Sequence, residues 1–88
     1  MEHTASLEKE DRLPFSSPVT VQISDTKRAV KSVRGASEVL IDWPHSRRGP
    51  VYQTTMEVLQ SAIAGRATAE EAHDAFVAFA KHAGVLVT

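Results

Sequence analysis

Apolar and polar residues alternate along the stretch PVTVQIS, with Val19, Val21 and Ile23 at one parity and Thr20, Gln22 and Ser24 at the other. A period of two belongs to a strand with one buried face. The pattern predicts a first strand from Pro18, a turn over residues 25–27, and a second strand over 28–30 with Val30 facing inward. A hairpin of this size is marginally stable alone, so helices must cover it.

After Ser32 the period changes. Ala36, Val39, Leu40 and Trp43 recur at i, i+3, i+4 and i+7, and Ser32 stands where an N-cap oxygen is wanted. Pro44 drives its predecessor out of α geometry, which ends this helix at Trp43 or just before it. A second helix opens at Pro50 with the stripe Tyr52, Met56, Leu59 and Ile63, Thr55 and Ala62 beside it, and Gly65 as its left-handed cap. Thr68 and Glu71 have the spacing of a capping box and start a third helix that runs to about Ala83 and stops at Gly84. Its apolar line holds Ala69, Ala72, Phe76, Phe79, Ala80 and Ala83, with Glu70, Glu71, Asp74 and Lys81 opposite. The terminal VLVT, short and β-branched, reads as a third strand paired to the hairpin.

These elements make an α+β fold, a small two-layer domain in which an N-terminal β-hairpin and a short C-terminal strand pack on three helices. Residues 14–88 form the expected domain. Residues 1–13, with Leu7 and Leu13 as their large apolar members, read as a flexible N-terminal arm.

Eighty-eight residues allow one core. A chain of that size buries only about 60% of the surface its unfolded form exposes, so the stability margin is narrow. The sequence has no cysteine, which excludes disulfides, thiol chemistry and cysteine-ligated zinc. It also lacks an apolar run long enough to span a bilayer and the basic-then-apolar pattern of a secretory leader, so a cytoplasmic location with no membrane partner is expected.

The net charge of −1 is unevenly spread: residues 14–48 carry six cations, Lys27, Arg28, Lys31, Arg34, Arg47 and Arg48, against Asp25, Glu38 and Asp42. That local excess is modest beside a nucleic-acid-binding domain, which is basic as a whole.

Catalytic and metal chemistry find little footing. His73 and His82 lie nine positions apart, half a turn out of phase on one helix, and cannot share a metal. Glu70 and His73 have the i, i+3 spacing of half a di-iron site, but the facing half is missing. No serine sits in a G-x-S-x-G turn, and the four glycines are too scattered to cradle phosphate. Glu38 and Asp42 read as a solvated helix face.

The segment WPHSRRGPVY is the one candidate surface. Its His45, Ser46, Arg47 and Arg48 precede a helix start, where an anion would be favoured, yet they also follow a helix end, where cations are favourable by about 0.3–1 kcal/mol. The expected function is a non-enzymatic interaction or regulatory module with a protein partner or self-association and no cofactor. The alternative is an anion- or nucleic-acid-binding protein using Lys27, Arg28, Lys31, Arg34, His45, Ser46, Arg47 and Arg48.

Taken in order, Pro18-Val19-x-Val21, Arg28-x-Val30-x-Ser32-Val33, Ala36 to Leu40 to Trp43-Pro44, Gly49-x-x-Tyr52, Gly65 and the alanine–phenylalanine pattern ending in Ala83-Gly84-Val85 are similar to a known pattern. The chain resembles, from about Phe15 to Val87, the short bacterial proteins grouped as domain of unknown function 982. The resemblance implies an independent α+β unit in a bacterial cytoplasm and supplies no catalytic residues. Many members carry a small residue and a cysteine near the positions of Thr55 and Leu59, so no thiol role carries over here.

Overall fold

The computed structural model describes residues 13–87, and all of the expected arm but Leu13 lies outside them. The order is β1 (Pro14–Ile23), β2 (Thr26–Ser32), α1 (Val33–Ile41), a 3₁₀ turn (His45–Arg47), α2 (Pro50–Ile63) and α3 (Ala69–Ala83). Leu13 is tied in: its carbonyl accepts from the Val33 amide at 3.1 Å, and its side chain packs on the core.

β1 and β2 pair antiparallel, with Val19 opposite Val30, Val21 opposite Arg28 and Ile23 opposite Thr26. The turn is therefore Ser24–Asp25, one residue earlier than the sequence suggests. Ser24 takes φ 56°, a left-handed conformation that suits glycine better but closes a two-residue loop. β1 also starts four residues before the alternating stretch, and its register breaks between Pro14 and Val19. Pro18 falls in that break, where its missing N–H is not needed for the ladder. Val19, Val21 and Val30 are buried, as the alternation requires.

The C-terminal strand is corrected. Leu86 forms a single bridge to Val21, framed by Gln22 N–H to the Val85 carbonyl at 2.8 Å and Val87 N–H to the Thr20 carbonyl at 2.9 Å. Among the described residues the sheet proper has two strands. The Val85 amide is already committed to the Ala80 carbonyl in the cap of α3, so the segment cannot begin a ladder there.

Packing of the helices differs as well. α1 lies on β2 and α3 on β1, whereas α2 packs on α1 and α3 rather than on the sheet. One apolar cluster joins all three helices and both strands.

Helix ends follow local chemistry. The Ser32 hydroxyl accepts from Gly35 N–H at 3.1 Å, and Thr68 and Glu71 form the complete capping box. Gly65, at φ 85°, closes α2 through Gly65 N–H to Ala62 and Arg66 N–H to Ser61, the paired bonds of a Schellman motif. α1 ends at Ile41, two residues before Trp43, which is nonetheless buried.

The face of α2 is rotated from the expected stripe. Tyr52, Thr55, Leu59 and Ala62 are buried, Met56 is half-buried, and Ile63 is 56% exposed. Small residues at 55 and 62 let α2 approach its neighbours, and the Thr55 hydroxyl is satisfied by the Val51 carbonyl at 2.8 Å.

Candidate binding cleft at the helix corner

Between α1 and α2 the chain turns through Trp43 to Gly49, and the first question is what completes the end of α1. A helix leaves its last carbonyls without intrahelical partners. Here Arg48 reaches back across the turn, donating from Nη2 to the Ile41 carbonyl at 2.9 Å and from Nε to the Trp43 carbonyl at 3.2 Å. Its Nη1 lies 3.4 Å from His45 Nδ1, and its guanidinium carbon stands 5.0 Å from the centre of the Tyr52 ring. The Tyr52 hydroxyl donates to the Leu40 carbonyl at 2.9 Å. A cation and a phenol from beyond the turn thus finish the C-terminus of α1, where positive charge is favoured.

Arg47 is placed differently. It is exposed, and its side chain has no hydrogen bond or ion pair among the described residues. It lines a cleft of about 240 Å³ between the 43–52 corner and the end of α3. Trp43, Tyr52 and Phe79 touch the cleft only at their edges, being core residues that are almost wholly buried; Phe79 meets Trp43 edge-on at 5.0 Å and Tyr52 at 6.1 Å between ring centres. His82 contributes an exposed imidazole from α3, and among the described residues no carboxylate lines the cleft.

The remaining basic residues do not gather here. Arg28 pairs with Glu38 at 3.6 Å, a contact between two exposed groups that adds little to stability. Lys27 and Lys31 alternate with Arg28 along β2 and project from the sheet face opposite the helices. Arg34 lies on α1, and Ser46 is exposed within the 3₁₀ turn. The corner therefore brings together His45, Ser46, Arg47 and Arg48 from the expected set, and divides the two arginines between a structural and a free position.

Phe79 and His82 complete the cleft from more than twenty-five residues downstream. Phe79 is legible in the sequence as a core residue and His82 as a surface one, but nothing local joins either to the corner. Elsewhere His73 packs edge-on against Phe15 at 5.2 Å and contacts Asp74 at 3.1 Å. Among the described residues, no group of three or more His, Cys, Asp or Glu side chains is arranged to hold a metal, and no helix is long and apolar enough to cross a membrane.

Comparison with curated proteins and with solved structures gives no match. The family comparison does: residues 17–87 match the family described as protein of unknown function (DUF982). That span takes in the hairpin from just before Pro18, all three helices, the corner and the C-terminal bridge, and the chain is a member of the DUF982 family.

Proposed function

We propose that the protein is a non-enzymatic interaction module that receives part of a partner polypeptide in the corner cleft and along the neighbouring α2–α3 face. Two adjoining shallow depressions carry the reading. The corner cleft, of about 240 Å³, is open to solvent and bordered by the exposed Arg47 and His82. A second depression of about 280 Å³ lies between α2 and α3, lined by Thr54, Thr55, Ala75 and Ala78. It shares Pro50 and Val51 with the cleft, so the two adjoin on one side of the molecule. Dispersal of the basic residues supports this reading over a nucleic-acid surface, since Arg48 is occupied by carbonyls and Arg28 by Glu38.

Ala78 is exposed on α3, so Ala78→Lys obstructs the depression without disturbing the core. Immobilised wild type and variant are compared for proteins captured from a lysate of the source cells at low and high salt. The reading expects proteins held by the wild type at both salt concentrations and lost on Ala78→Lys. Capture that vanishes with salt, as phosphate contacts do, or that ignores the substitution contradicts it.

A further inference from the structure

We infer that the outer edge of β2 is a second docking site, on a different face from the α2–α3 depression, and that it takes an acidic polypeptide segment as an added antiparallel strand.

The register decides which backbone groups are open. The Gln22 amide donates to the Val85 carbonyl and the Thr20 carbonyl accepts from Val87, so these groups turn away from β2. Thr20 pairs with Ala29 and Gln22 with Lys27. In an antiparallel pair, opposite residues that do not bond each other both direct their backbone groups outward. The amides and carbonyls of Lys27 and Ala29, and by alternation those of Lys31, therefore face away from β1. No described residue bonds them. The C-terminal segment covers the β1 edge of the sheet, whereas Lys27, Ala29 and Lys31 are all exposed along the β2 edge. Such a row of donors and acceptors is a template for one more strand.

Charge selects the occupant. Lys27 and Lys31 stand on one face of β2 with the small Ala29 between them, and among the described residues neither lysine is in an ion pair. A second copy pairing antiparallel through this edge, centred on Ala29, would set Lys27 against Lys31 at both ends, and like charges directly opposite are destabilising. The lysines thus guard the edge against self-association. A segment with acidic residues at i and i+4 instead sets a carboxylate against each lysine, with its middle residue over Ala29. Nucleic acid would meet the two lysines, but its phosphates only accept and would leave the carbonyls of the edge unmet.

Amide NMR of the full 88-residue chain tests this with a capped seven-residue peptide, threonine–glutamate–valine–threonine–valine–glutamate–threonine. The comparison probes are its counterpart with lysine for glutamate, the acidic peptide N-methylated at the central threonine, and a short single-stranded oligonucleotide. The acidic peptide is expected to give saturable shifts at Lys27, Ala29 and Lys31 and to slow exchange of their amides with solvent. N-methylation keeps the charge and removes a ladder bond opposite Ala29, and it should weaken binding about fivefold or more. In the double variant Lys27→Glu, Lys31→Glu, whose exposed positions should leave the fold intact, the preference should reverse. The lysine peptide then binds, and the acidic one is weakened about tenfold or more, the worth of two cross-strand charge pairs. Equal binding of the N-methylated peptide means that charge alone holds it, and an oligonucleotide that binds these residues as tightly as the peptide makes the edge a polyanion surface; either result overturns the added strand. Shifts along β2 that grow with protein concentration alone would show that copies of the chain pair here, and silence of these amides toward the acidic peptide would leave the edge without a ligand. Both overturn the inference. None of these outcomes touches the α2–α3 face, which Ala78→Lys tests separately.

Discussion

Tyr52 shows how much one side chain does at the corner. Its ring belongs to the core, its face lies under the Arg48 guanidinium, and its hydroxyl holds the Leu40 carbonyl. Tyr52→Phe keeps the ring and deletes only the hydroxyl. The Leu40 carbonyl retains the Trp43 amide at 3.1 Å, so it is not orphaned, and the expected cost is about 1 kcal/mol rather than the larger penalty of an unsatisfied buried group. Urea unfolding with an unchanged slope measures it. A loss of several kcal/mol would mean that the phenol holds more than this carbonyl. From sequence, Tyr52 was legible as a core position and Arg48 as a cation near a helix end. That their side chains meet was not, because the meeting depends on a 3₁₀ turn whose residues carry no periodic signal.

At the scale of elements, legibility followed the strength of the local signal. Thr68 with Glu71, Gly65 and Gly84 each impose a helix boundary through hydrogen bonds or φ, and those boundaries stand where the residues place them. The face of α2 is the instructive departure. Periodicity allows Tyr52, Met56, Leu59 and Ile63 as readily as Tyr52, Thr55, Leu59 and Ala62, and tertiary packing on α1 and α3 selects the second set. Leu59→Ala should therefore cost about 2–5 kcal/mol, as for a fully buried leucine, whereas Ile63→Ser should stay within about 0.5 kcal/mol because the side chain is mostly in water. Thermal or urea unfolding of the pair distinguishes the two faces, and a large loss at Ile63 would restore the original stripe. The C-terminal segment departs for a different reason: its apolar, β-branched composition is that of a strand, but its first amide is taken by the cap of α3, which no propensity scale registers.

For the whole molecule, the α+β class and the three helices were legible because apolar spacing dictates them, while the layering was not. α2 rests on the other two helices instead of the sheet, and that arrangement brings its first turn beside Phe79 and His82 to make the cleft. Fold and proposed function meet in the assignment of Arg48 to building the corner and Arg47 to meeting a partner. Global stability of the two single variants tests that division most directly, since a domain this small has little margin to conceal a loss. By urea unfolding, Arg48→Gln should lower stability by about 1–2 kcal/mol, through its two carbonyl bonds and its stacking on Tyr52, while Arg47→Gln should remain within about 0.5 kcal/mol of wild type. Equal losses at both positions, or a larger loss at Arg47, would contradict the account.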